Sequence, residues 1–206
     1  MQELASVCYS IGNAMSLGLP DYPPLPEHLG GHMNKVHTDR ATLTYLIQKY
    51  DVTTMIDVGC GPGDMVQIAC DKGMQAEGID GAYTQEARWA YFKIPVRLHD
   101  FSKGKPEHLS GWDLAWSVEF LEHVDEQYMD NYMCVFEKCK YIICTAAPPG
   151  HPGHHHVNCQ SRDYWIDKFA ERGFDFDAQE TEYIKSNSVM RKPFMQRNGM
   201  FYVRRD

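Results

Sequence analysis

Met55-Ile56-Asp57-Val58-Gly59-Cys60-Gly61-Pro62-Gly63-Asp64 reads as a short apolar strand running into a turn with glycine at alternate positions. Glycine there lets the backbone approach a ligand with no Cβ in the way. A helix is expected from near Asp64. A second strand, Ala76-Glu77-Gly78-Ile79-Asp80, follows and ends on an acid. Strand, glycine turn, helix, strand and acid form the unit that holds the adenosine part of a cofactor in an α/β sheet, the acid accepting from the ribose hydroxyls. The spacing narrows the ligand. Gly59-x-Gly61-x-Gly63 departs from the dinucleotide pattern G-x-G-x-x-G, because Asp64 stands where its last glycine would. No Lys-Ser/Thr follows, as a phosphate-binding loop requires, and no basic residue lies between Lys49 and Lys72 to answer a pyrophosphate.

Outward from this unit, strands and helices alternate. Strands are expected at 55–58, 75–79, 95–98, 113–117 and 140–145, with helices near 38–49, 64–72, 84–92, 125–138 and 161–172. Alternation of this kind implies right-handed crossovers and a parallel sheet covered on both faces. The end changes character: 180–188 and 200–204 read as two strands joined by a turn containing Asn198-Gly199. Before the first helix, Leu19-Pro20-Asp21-Tyr22-Pro23-Pro24-Leu25-Pro26 excludes helix and central strand. It is expected to lie as an extended arm across the domain, as a lid or as a plain strap. The expected organisation is one domain over 1–206, with residues 1–37 as the arm and 38–206 as the core.

A chain of 206 residues with 43% hydrophobic residues can bury a full core. Its net charge of −8 argues against a large nucleic-acid footprint. Arg191, Lys192, Arg197, Arg204 and Arg205 gather near the end, where a solvated edge is the favoured reading and a local basic patch the other. Seven cysteines without a C-x-x-C pair suit a reducing compartment. Met1-Gln2-Glu3-Leu4 has no basic leader region, and no apolar run nears the roughly 18 residues of a membrane helix. A cytoplasmic protein with no membrane partner is the expectation.

The segment Ile56–Gly63 resembles motif I of the class I S-adenosylmethionine (SAM)-dependent methyltransferases. Three later segments agree in order and spacing: Gly78-Ile79-Asp80, His99-Asp100-Phe101, and Trp112 to Val124. The resemblance implies a Rossmann-like, doubly wound, mostly parallel seven-stranded sheet completed by a C-terminal antiparallel strand pair. It implies SAM as cofactor and S-adenosylhomocysteine (SAH) as product. It also implies roles: Gly59, Cys60 and Gly61 under the methionine part, with Asp57 setting the turn or meeting the amino group. Asp80 would hold the ribose with Gly81 beside it, Asp100 and Phe101 the adenine, and Ser117, Val118 and Glu119 would flank the sulfonium. Each strand-end aspartate has an alternative reading as a helix cap. A narrower resemblance, on Gly30-Gly31-His32-Met33, Pro148-Pro149-Gly150, His154–Cys159 and Tyr164-Trp165, is to short methyltransferase-domain proteins of bacteriophages and bacterial polysaccharide clusters. A phage-encoded member would act in the host cytoplasm.

The acceptor chemistry is expected around Glu119-x-x-Glu122-His123. If a helix begins at or before Glu119, these three share one face beside the transferring methyl. Two carboxylates and an imidazole suit a divalent ion such as Mg²⁺ or Mn²⁺. The run His151-Pro152-Gly153-His154-His155-His156 offers a further ligand, and His156 is the first choice. The arrangement resembles ubiquinone-pathway O-methyltransferases and plant-type small-RNA 2′-O-methyltransferases, in which a metal lowers the pKa of the acceptor oxygen and a histidine takes the proton. Three uses stay open: metal ligation by Glu119, Glu122, His123 and His156; His123 as a metal-free base oriented by Glu122; and catalysis by proximity alone. The expected acceptor is an oxygen of a small molecule or sugar. The alternatives are a nucleic-acid methyltransferase, which the acidic balance disfavours, and a SAM-binding module without turnover.

Overall fold

The computed structural model describes residues 22–31 and 35–205. Leu19 to Asp21 of the proline arm, and His32, Met33 and Asn34, lie outside them. Seven strands form one sheet: β1 (Thr54–Val58), β2 (Gln75–Asp80), β3 (Val96–Leu98), β4 (Trp112–Ser117), β5 (Cys139–Thr145), β6 (Phe174–Phe176) and β7 (Gly199–Arg204). Their order is β3-β2-β1-β4-β5-β7-β6. The first five strands are parallel, and β7 runs antiparallel to both β5 and β6. This is the doubly wound sheet with a C-terminal antiparallel pair that the motifs imply.

Successive residues on the strands feed opposite cores, as the two-residue period requires. In β5, Ile142 and Cys144 face one core and Ile143 the other. In β7, Met200 and Tyr202 face the first and Phe201 the second. The first core is closed by α4 (Met129–Phe136) and α5 (Arg162–Ala170). The second is closed by α1 (Arg40–Tyr50), α2 (Asp64–Asp71), α3 (Glu86–Phe92), α6 (Ala178–Asn187) and α7 (Phe194–Asn198). With both faces covered, the strands carry apolar runs instead of an apolar–polar alternation.

The end of the chain departs from expectation. Residues 180–188 are mostly helix α6, and the partner of β7 is the three-residue β6. The helix is set by its cap: the Asp177 side chain accepts from Glu180 N at 2.8 Å. Thr181 and Ile184, three apart, form its buried stripe. Asn198-Gly199 makes no hairpin turn: Asn198 ends α7 and Gly199 starts β7.

β1 and β4 are neighbours although β2 and β3 lie between them in sequence. The connections after β1 and β4 therefore leave toward opposite faces, and a crevice opens beyond the carboxyl ends of these strands.

Candidate functional site

That crevice is a cavity of about 760 Å³. Its first wall is the turn after β1. Gly59 has φ +75°, a conformation that disfavours any side chain, and a Cβ on it would be driven into the Phe120 ring. Asp80 ties the turn down: Gly61 N donates to one carboxylate oxygen at 2.7 Å and Ala82 N to the other at 2.8 Å. Trp89 Nε1 donates to Gly61 O at 3.1 Å, and Arg88 pairs with Asp64 at 3.0 Å. Asp57 is buried beneath the turn; burial, then the nearby Asp80 charge, pushes its carboxyl well above the usual range.

Of the expected cofactor residues, Asp57, Gly59, Cys60, Gly61, Asp80, Gly81, Asp100, Phe101, Val118 and Glu119 line this cavity. Ser117 does not: it is fully buried, and its hydroxyl donates to Val58 O at 2.9 Å, joining β4 to β1. Asp100 also acts as a cap, accepting from Ser102 N at 2.8 Å, and takes His28 Nε2 at 3.1 Å. Burial raises its carboxyl, but the bonds from Ser102 and His28 outweigh that and hold it below its ordinary value.

The second wall corrects the expected helix. Glu119 follows β4 with φ +54°, a left-handed conformation that stops a helix from starting there. Leu121–His123 is one 3₁₀ turn, and α4 begins only at Met129. Glu119, Glu122 and His123 therefore share no helix face. The Glu119 amide donates to Thr145 Oγ1 at 2.9 Å, and that hydroxyl donates to the Glu119 carboxylate at 3.1 Å. Glu122 turns inward and has no exposed surface; Ala147 N donates to its Oε1 at 3.1 Å.

The histidine run is folded back by the Glu122 backbone, whose carbonyl accepts from Val157 N and Asn158 N, each at 3.0 Å. This sets the His123 and His156 rings edge-to-face with centroids 4.9 Å apart. Ligand atoms of Glu122, His123 and His156 lie within 4.8 Å of one another. Glu119 is not in this group, so the four-residue set narrows to three. Glu122 Oε2 and His123 Nδ1 are buried without a hydrogen-bond partner among the described residues. His156 Nδ1 donates to His151 O at 3.0 Å, which leaves the lone pair on Nε2.

Burial, with the His156 charge beside it, holds His123 down at about 4, so its ring is neutral at pH 7. Burial, and then the Glu119 charge, raises Glu122 well above the carboxylate range. The Glu122 carboxyl group and the His123 and His156 rings form a donor set that fits a divalent cation, whose charge would favour the ionised form of Glu122. Two nitrogens in three suit Mn²⁺ better than Mg²⁺.

The arm supplies a third wall, which motif reading did not resolve. Glu27 O accepts from His154 Nε2 at 3.0 Å, Pro24 O accepts from Tyr83 OH at 3.0 Å, and Gly31 packs on the His123 ring. Lys35, His37, Lys192 and Phe194 line the mouth. Asp39-x-x-Thr42, the cap that starts α1, marks where residues 35–38 end, but no sequence signal places them beside Lys192 and Phe194.

No protein-family model matches the chain, and no curated protein matches its sequence. Solved structures do match. Magnesium protoporphyrin IX methyltransferase (ChlM) from Synechocystis, crystallised with bound SAH, is 14% identical over 79% of this chain and 80% of that one, with a TM-score of 0.58. The sugar N-methyltransferase KedS8 from Streptoalloteichus is 10% identical over 81% and 85%, with a TM-score of 0.61. The methyltransferase domain of bacterial CtHen1 is 17% identical over 80% and 96%, with a TM-score of 0.51. The chain has the fold of the SAM-dependent methyltransferases. Among the described residues, no helix is long and apolar enough to cross a membrane.

Proposed function

We propose that this chain is a SAM-dependent methyltransferase of one domain that methylates an oxygen of a small molecule or sugar, assisted by a divalent cation. One observation carries the reading: the glycine turn with Asp80 lines the same cavity as His123 and His156, and the buried Glu122 lies directly behind those two rings. A nucleoside subsite and a basic donor set are thereby side by side, as transfer between two bound molecules requires.

When bound, SAM supplies a methyl group on a sulfonium, and the cation supplies positive charge that favours an ionised acceptor hydroxyl. The protein supplies the rest. Gly59 to Gly61 and Asp80 bind the cofactor, and Phe101 packs at its adenine end. Glu122, His123 and His156 hold the cation. His28, Leu29, Gly30 and Gly31 line the cavity and reduce its access to water. A second reading is favoured by the neutral state of His123, which suits it to accept the hydroxyl proton itself without a metal. A cytoplasmic setting agrees with the six described cysteines, all free thiols.

The test uses SAM with a labelled methyl group, incubated with the full chain and cell extract. Label should enter the small-molecule or carbohydrate fraction, vanish with excess chelator and return with Mn²⁺ more than with Mg²⁺. Label that persists in chelator would leave His123 as a metal-free base. Label in nucleic acid would overturn the acceptor class.

A further inference from the structure

Lys35, His37 and Lys192, from segments far apart in sequence, line one part of a cavity that is otherwise rich in acids, among them Asp57, Asp80, Asp100 and Glu119. Arg191 is close enough, with both lysines, to act on His37, and burial followed by these three cations holds that imidazole below its ordinary pKa. Lys35, Arg191 and Lys192 form no ion pair with any described carboxylate. Among the described residues these three cations thus have no carboxylate within ion-pair distance, in a chain with more acids than bases, 28 against 20.

The grouping is built by buried contacts. Asp39, with no exposed surface, caps α1 through Thr42 N and also receives Ser188 Oγ and Val189 N from the connection between α6 and α7. Gln196 Nε2 closes that connection onto Ser188 O and Met190 O at 3.2 and 2.9 Å. His37 packs edge-to-face on Phe194 at 4.7 Å. Asp39 thus ties the start of α1 to residues 188–189, and the His37–Phe194 contact joins the two neighbouring segments that carry the cations.

We propose that Lys35, His37, Arg191 and Lys192 form an anion subsite that recognises a phosphate group on the small-molecule acceptor. This rests on the methyltransferase reading. The amino-acid end of SAM is a zwitterion without net charge, so it does not call for three cations. A phosphate, which carries up to two charges, does. The net charge of −8 disfavours a polynucleotide as its source.

The test titrates pyrophosphate into the full chain, with and without SAH, by calorimetry. The wild type should bind pyrophosphate, and the Lys35→Met/Lys192→Met double variant at least about tenfold more weakly, because charge-assisted bonds are lost. SAH affinity should stay within about twofold. Both lysines are exposed, so folding should be unaffected. No pyrophosphate binding by the wild type, or equal binding by the variant, overturns the subsite. An equal loss of SAH affinity reassigns the cations to the cofactor. Malonate bound as tightly as pyrophosphate overturns phosphate as the group, and a single-stranded RNA oligonucleotide bound more tightly overturns the small acceptor. A wild type that binds pyrophosphate but no SAH contradicts the methyltransferase reading, and with it the acceptor assignment.

Discussion

At the amino-terminal end of the sheet, Asp113 in β4 accepts from Thr53 N at 2.9 Å, Thr53 Oγ1 at 2.9 Å and Thr54 N at 3.1 Å, and pairs with Lys140 at 2.7 Å. At the carboxyl end of the same strands, Asp57 and Glu122 are buried and His123 is half-buried, and Glu122 Oε2 and His123 Nδ1 find no partner among the described residues. The electrostatic consequences are opposite. Burial alone would raise Asp113, yet Lys140 and the Thr53 and Thr54 donors hold its carboxyl far below its ordinary value. Burial dominates at Asp57, Glu122 and His123, and drives each toward its neutral form. One end satisfies its polar groups internally and stabilises the fold. The other leaves Glu122 Oε2 and His123 Nδ1 without a partner among the described residues, at a cost in stability that the proposed site would account for.

Substitutions at the two ends should therefore have exchanged phenotypes. The largest effect is expected from His123→Ala: turnover should fall about 10²- to 10⁴-fold with SAH affinity retained, as read by labelled-methyl transfer and calorimetry. Parallel loss of both would make His123 a structural residue and erase the contrast. Next is Glu122→Gln, which keeps the oxygen that Ala147 N reaches. Mn²⁺ affinity should drop at least about a hundredfold, since even outer-shell changes cost 10- to 100-fold, while thermal stability should hold or rise. Paramagnetic resonance of bound Mn²⁺ and a melting curve report the two quantities separately.

Smaller, and of the other kind, is Asp113→Ala. It removes several charge-assisted bonds and should lower the unfolding free energy by about 2–3 kcal/mol, with turnover unchanged below the melting temperature. The acid limb sharpens the point. Because Asp113 is depressed in the folded state, its contribution is complete above the unfolded carboxylate value of about 3.9 and is lost as pH falls below it. Denaturant titrations of wild type and Asp113→Ala should converge toward low pH. Curves that stay parallel would mean Asp113 titrates normally.

Much of this division was legible in the sequence, for a physical reason. Gly59, Gly61, Asp80 and Asp100 carry backbone or strand-end constraints that only certain residue types meet, so local order revealed them. The sheet followed from alternation. Two departures have different physical causes. The shared face of Glu119, Glu122 and His123 is conditional on a helix that begins at or before Glu119, but Glu119 is left-handed and its amide is held by Thr145, 26 residues away. Residues 180–188 were read as a strand because the three residues of β6 are too few to show a period, although Asp177-x-x-Glu180 was a visible cap. The grouping of His123 with His156, and of Lys35 with Lys192, rests on long-range contacts and was out of reach of spacing alone.

The most direct measurement is a calorimetric titration of SAH into the full chain, the Asp80→Ala variant and the Asp113→Ala variant. The expected result is a single site in the wild type, at least about tenfold weaker affinity in Asp80→Ala through lost charged bonds, and wild-type affinity in Asp113→Ala. No SAH binding by the wild type, or an equal loss in both variants, would contradict the assignment of the carboxyl end of this sheet as the cofactor site.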